Sequence, residues 1–510
     1  MKTAALTIAT FLICAVANSA EQSPTAATPK LAEMLAAKDA NGKPIITPEE
    51  QAYYSGLNDR LRELVNQAVQ KETISRPEHL SILLSLQLRP QKMELLLQNN
   101  CVLCHTDSAN HTPDTLFVTT ADAGASSHMN LKELVDDVHF QRGISCAGCH
   151  GGDATADLGH AHVKEWPEKD RDKNRAWIVA FCARCHSDPA LMHQFNAALP
   201  TDQLTKFKDS PHGHTLIDNH DDRAPSCVSC HGVHCIRPAK DPHSKVYAQR
   251  VPETCGSCHA NATTMAGFKR ADGSPIPTTQ LAEYRESVHG KALARGDLGA
   301  PRCNTCHGNH AASPPGVAQV SKSCNLCHSA NAGLFDGSKH KQAFDQHNWP
   351  ECGQCHGNHT IKKTSDAMLA TGNGQLCGDC HRQYAKENPN CIRAADYFRQ
   401  TVTRMDQARV QVASAAERLA AKGVDVEPIS NQLTELGDAL KKSRTYVHSF
   451  SQNSFQQIAA PGEQSIKKSN ELLDQARAEY RYRQIGLAFS IAVIGLLMLA
   501  IYLKLRQLEK

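Results

Sequence analysis

Residues 301–310 read PRCNTCHGNH. Cys303, Cys306 and His307 stand at the spacing Cys-x-x-Cys-His, glycine follows, and His310 comes three residues after His307. Working outward, the same pattern begins at Cys101, Cys146, Cys182, Cys227, Cys255, Cys324, Cys352 and Cys377, so that nine copies take up 18 of the 21 cysteines. Their second cysteines are Cys104, Cys149, Cys185, Cys230, Cys258, Cys306, Cys327, Cys355 and Cys380. Their closing histidines are His105, His150, His186, His231, His259, His307, His328, His356 and His381. A zinc site needs four ligands and carries no rule that histidine follows at once. A redox dithiol needs one reactive pair. Nine like copies fit neither.

They fit covalent attachment of c-type haem, in which two thiols add to the two vinyl groups and the adjacent histidine reaches the iron from one face. Nine haems c are therefore expected. Residues 101–381 supply about thirty residues per motif, with few aromatics, too lean a stretch to bury a core of its own. The expected fold is mostly α and irregular, with a haem-packed core.

Of the 27 histidines, 18 lie outside the motifs, enough to give each iron a second ligand. His310 cannot easily turn back onto the iron of His307, because three residues at about 3.3 Å each do not round a porphyrin edge. It is expected to cross to a neighbouring haem. The same offset recurs at His234 and His359. A second series lies upstream of a motif, at His139, His212, His289 and His347. The two series define a unit repeated four times, over about 137–188, 208–260, 284–330 and 339–383. The glycines after the first motifs (Gly151, Gly232, Gly308, Gly357) suit close backbone approach to a flat macrocycle. The first unit lacks a histidine at the downstream offset, and His162, or His160, is expected to substitute. For the motif at Cys101, outside the repeats, His128 is the first choice of second ligand and His111 the other. His214, His220, His243 and His340 stay as alternatives elsewhere.

The ends read differently. Residues 1–20 have one lysine, an apolar run and small residues, as in a secretory signal peptide. Residues 21–48 suggest a mobile leader, and Pro48 to Asn99 two helices broken near Ser75–Pro77, within a leader and N-terminal segment 21–100. His79 there reads as a surface histidine. The motif domain spans 101–391. Residues 392–484 form a helical hairpin or stalk, with breaks expected at Gly423–Pro428 and Pro461–Gly462 and His448 inside the second helix as an exposed residue. Residues 485–503 are 19 residues without a charge, enough for one transmembrane helix, and 504–510 form a basic tail that suits a cytoplasmic end. A net charge of +3 gives no reason to expect nucleic acid. Of the three remaining cysteines, Cys14 lies in the apolar run of the signal peptide and reads as incidental, and Cys235 and Cys391 are left as a disulfide or as two thiols.

With its nine motifs, the "SVHG" and "CHGxH" elements and one anchor, the chain resembles the membrane-anchored multihaem c-type cytochromes, the cytochrome-c3-like group most of all. The resemblance covers about 101–391 and implies bis-histidine haems that pass single electrons. The flow would run between the quinone pool or a membrane partner and a periplasmic or outer acceptor, from a bacterial inner membrane with the haem domain in the periplasm. Redox proteins are the implied partners, with quinone reached through a membrane partner. The alternative is a multihaem reductase or oxidase of a small nitrogen or sulfur compound, which needs one iron with an open face.

Overall fold

A computed structural model describes residues 27–99 apart from 72 and 75, residue 101, 116–119, 126–129, 134–153, 175–314 apart from 271, 320–384 apart from 373, and 390–509. The fold is mostly helical. Thr47 and Glu50 close a capping box ahead of Pro48–Ser55, and Asn58 caps Asp59–Gln70. Leu61, Leu64, Val65, Ala68 and Val69 then fall on one helical face and bury it against Leu80, Leu84, Met93 and Leu96. Leu31 and Ile46, inside the stretch expected to be a loose leader, are fully buried in the same core. That expectation is corrected: Thr28 caps helix Pro29–Leu35, whose apolar face supplies the contact. Four helices, not two, occupy 48–97, and His79 is buried.

From residue 134 to 384 the elements are short and tied by caps and turns. After Asn390 the helices lengthen: Asn390–Ala420, Glu427–Tyr446 and Gln452–Leu508. The first break falls at Gly423, as expected, in a left-handed conformation. The second falls at Val447–Ser449, ended by the left-handed Phe450, and Pro461 lies inside the last helix. Beside the proline, Gly462 lets helices approach closely; a Cβ at Gly462 would sit 2.0 Å from Met405 Cε and 3.1 Å from Ala439 Cβ. Phe455, Ala459, Gly462, Ser465, Ser469, Leu473 and Ala476 form the buried stripe of that helix. From Ile485 onward its apolar side chains are exposed, and the helix is long and apolar enough to cross a membrane.

The chain divides into two compact units, one of residues 1–255 with His310–Ala312, the other of 256–309 with 313–510.

Candidate metal centres

The described motifs take two forms. The first motif of each repeat is a separate helical turn: Cys146–His150, Cys227–His231, Cys303–His307 and Glu351–His356. The second motifs lie in longer helices, Arg175–His186, Val251–His259, Val320–Asp336 and Leu376–Tyr384. Helical geometry sets residues three and four apart on one face, so both sulfurs and the imidazole share a side. Each first motif stops at its glycine, with φ of +76° at Gly151, +84° at Gly232, +83° at Gly308 and +77° at Gly357, and ψ near 180°. That region of backbone space belongs to glycine. At Gly232 and Gly357 the backbone conformation is thus the reason for the residue, since a Cβ would meet no protein atom closer than 3.7 Å and 4.0 Å.

The upstream histidines share a cradle that the sequence only half reveals. Ser210, Ser287 and Ser338 are buried, each accepts a backbone N–H three residues on, and each donates at 2.6 Å to the carbonyl of an aromatic residue three before it, Phe207, Tyr284 or Phe335. The histidine stands two residues after the serine, which makes it His212, His289 and, in the fourth repeat, His340. In the first repeat Asp137 fills the serine's place: one carboxylate oxygen accepts from His139 N–H (2.8 Å) and Phe140 N–H (3.2 Å), the other from Ile236 N–H (2.5 Å). Burial would push Asp137 up, but hydrogen bonds from the His139 ring and Ile236 win and hold it below the usual carboxylate range. Val138 N–H also donates to Ile236 C=O, and Val288 N–H to Ile361 C=O, each at 2.8 Å, tying an upstream histidine to the downstream segment of the next repeat. Pro211 has no N–H to make the equivalent tie.

These cradles present imidazoles in pairs. His150 faces His234 with ring centres 6.1 Å apart, His231 faces His310 at 6.0 Å and His307 faces His359 at 6.0 Å. His139 faces His186 at 5.9 Å, His289 faces His328 at 6.4 Å, His340 faces His381 at 5.6 Å and His356 faces His448 at 6.1 Å. True ring stacking is closer, as for His340 on Phe450 at 3.7 Å. Two metal–nitrogen bonds of about 2 Å each, with half an imidazole ring beyond each nitrogen, set ring centres about 6 Å apart. The residues therefore fit an iron between each pair.

The connectivity follows one rule. Three first-motif histidines, His150, His231 and His307, meet the downstream histidine of the following repeat, and three second-motif histidines, His186, His328 and His381, meet an upstream histidine of their own. The rings of the first class are near parallel, at 13°, 11° and 11°, with His356 and His448 at 25°. Those of the second class lie at 82°, 36° and 70°. His310 crosses to His231 and not to His307. His347, expected opposite a motif histidine, instead stacks on Trp349 at 4.7 Å. The cap at Ser338 begins helix Lys339–His347, so His340 in its first turn, and not His347 at its end, takes the place two residues after the serine. His448 was read as an exposed helical residue; it lies half-buried in the turn after Glu427–Tyr446. No sequence repeat marks it, whereas His340 could have been found from aromatic-x-x-Ser-x-His.

His212 follows its serine in the first unit, and His259 ends Val251–His259 in the second. His214 and His243 lie at the surface on Asp218 (2.7 Å) and Asp241 (3.1 Å). His128 lies in the strand Ser126–Met129 opposite Phe117 of Leu116–Thr119, its side chain outside the described residues. Cys104, His105, His111, His160, His162 and the signal peptide are also outside them.

Burial drives His186, His234, His289, His310, His356, His359, His381 and His448 toward the neutral form, the one that can ligate. Burial and the neighbouring His310 and His186 lower His231 to about 4, and burial with His381 lowers His340 to about 4. Nδ1 of His307 lies 3.0 Å from Ser313 C=O and that of His448 2.9 Å from Thr445 C=O, contacts that suit Nδ1–H donors and turn Nε2 into the acceptor; the Asn331 amide nitrogen also stands against the His448 ring, 3.3 Å from Nδ1 and 3.5 Å from Nε2. Burial pushes the Cys146 and Cys355 thiols up to about 11, the wrong direction for a redox dithiol. Cys324 is drawn down to about 7, but by Cys352 of another motif. Among the described residues no group of three or more His, Cys, Asp or Glu side chains converges as zinc would require. No family model, curated protein or solved structure matches the chain.

Proposed function

We propose that this chain is a nine-haem c-type cytochrome that carries electrons, held to a bacterial inner membrane by its C-terminal helix with the haem domain in the periplasm. What carries the reading is the set of seven imidazole pairs, each joining a motif histidine to one outside the motifs at 5.6–6.4 Å. Such pairing would close both axial positions at seven of the nine sites, which suits a carrier; the motifs at Cys101 and Cys255 lie outside those seven and are where the reductase reading would seek an open face.

Bound haem supplies a one-electron couple at each site. The chain's own residues supply order and spacing. Crossing histidines draw successive repeats together, and the motif thiols follow one another in sequence order. In the first unit Cys101 neighbours Cys146, Cys149 neighbours Cys182, and Cys182 shares a hydrogen bond with Cys227. In the second, Cys306 neighbours Cys324, Cys324 bonds Cys352, and Cys355 neighbours Cys377. A relay of this kind serves transfer between a membrane partner that handles quinone and a periplasmic or outer acceptor. The test is the intact mass and spectrum of the exported protein: nine covalent haem additions with low-spin spectra are expected. A colourless product at bare peptide mass defeats the reading.

A further inference from the structure

We propose that His448 is the second axial ligand of the iron held at Cys352, Cys355 and His356, so that the anchored helical bundle closes the relay as a surrogate fifth repeat. The inference rests on the cytochrome reading above and goes beyond it. Three first-motif histidines take their partner from the next repeat: His234, His310 and His359. The fourth repeat has no successor, and His356 would lack a partner under that rule. His448 stands in the vacant register, 92 residues downstream in the sequence, at 6.1 Å and 25° from His356. Its spacing matches the crossing pairs, at 6.0–6.1 Å, and its tilt lies between their 11–13° and the 36° of His289 and His328.

The bundle is shaped to hold that ring. Val447 is buried in the core with Phe398, Leu436 and Phe455, and Phe450 turns the chain in a left-handed conformation immediately after. Between them a single 3-10 turn carries His448 off the helix, with its Nδ1–H on Thr445 C=O. Arg444, one turn before, forms paired bonds of 2.9 and 2.7 Å to Asp366, the first residue of the 3-10 turn Asp366–Leu369 ahead of the last motif. A histidine needed only for helix capping would require neither the approach to His356 nor this turn. Terminal repeats in a stacked array need an atypical cap, and here the cap also completes coordination.

The experiment compares the full-length membrane protein with its His448→Ala, His448→Met and His347→Ala variants, using mass, ferric absorption and EPR spectra, and a potentiometric titration. In His448→Ala all haems stay covalently attached, one of them becomes high-spin, and added imidazole restores it. In His448→Met the sixth donor is kept as a thioether, and one haem titrates at a higher potential. His347→Ala leaves the spectra unchanged. A His448→Ala protein with every haem still low-spin, a His448→Met protein with unshifted potentials, or a high-spin haem in His347→Ala would each overturn the assignment. Absence of covalent haem from the unaltered protein would instead defeat the cytochrome reading itself, so the two failures are distinct.

Discussion

Residues 391–509 and residues 141–390 build their interiors by different means. Among the described residues, eighteen apolar side chains are buried in the first stretch and eleven in the second, which is twice as long. The C-terminal helices close on their own Phe398, Val402, Met405, Leu436 and Phe455, with Leu369 packed against them from the preceding segment. The motif region closes instead on serine caps, glycine turns and facing imidazoles, with one small apolar cluster of Val179, Leu216 and Ala224. The difference teaches that helical content alone does not make a core. A chain with so little apolar burial relies on another source of cohesion, which the cytochrome reading supplies as porphyrin.

The largest test of this contrast is to make the protein without covalent haem. Residues 141–390 should lose amide-exchange protection and become open to proteases, while 391–480 keep theirs. Equal protection in both stretches would break the comparison. Next come two glycines. A Cβ at Gly290 would lie 2.1 Å from the Tyr284 carbonyl oxygen, a backbone atom that cannot step aside, whereas at Gly462 the obstacle is the mobile end of Met405. Gly290→Ala should cost about 3 kcal/mol and Gly462→Ala about 1 kcal/mol, the two ends of the overpacking range, read from denaturant midpoints. Smaller again, Ser287→Ala removes the acceptor for Gly290 N–H (3.0 Å), and should cost about 1 kcal/mol, as for other N-caps. Ser287→Thr should recover most of it.

The sequence made the motifs legible because their chemistry is local: two sulfurs and an imidazole within five residues. The crossing role of His310 was legible too, since chain reach forbids the alternative. What lay hidden depends on contacts far apart in the chain. His448 has no motif around it and acquires its place only when the bundle packs. His347 and His340 are equally good by spacing, and the buried Ser338–Phe335 bond decides between them. Pro461 reads as a breaker because its cost is local, while the packing of its helix against the other two is tertiary. Leu31 and Ile46 were lost in a polar, proline-containing stretch whose composition suggests looseness.

The smallest expected effect concerns the joint between the two kinds of interior. Arg444 binds Asp366 through two hydrogen bonds and lies 3.5 Å from Asp406, yet its side chain is 43 % exposed and that of Asp366 21 %. Asp366, and Asp406 after it, hold the Arg444 guanidinium above even its ordinary high pKa, so the arginine stays charged at any working pH. Exposure and screening limit such a pair to about 0.5–1 kcal/mol even with paired geometry. Arg444→Gln should therefore lower the denaturant midpoint slightly in low salt and hardly at all in high salt, with the bundle melting as before. If the loss were several times larger and shrank steeply with added salt, the joint would be held by charge and not by the packing of Leu369 against Phe398 and its neighbours. The bundle would then be a docked module rather than a continuation of the fourth repeat.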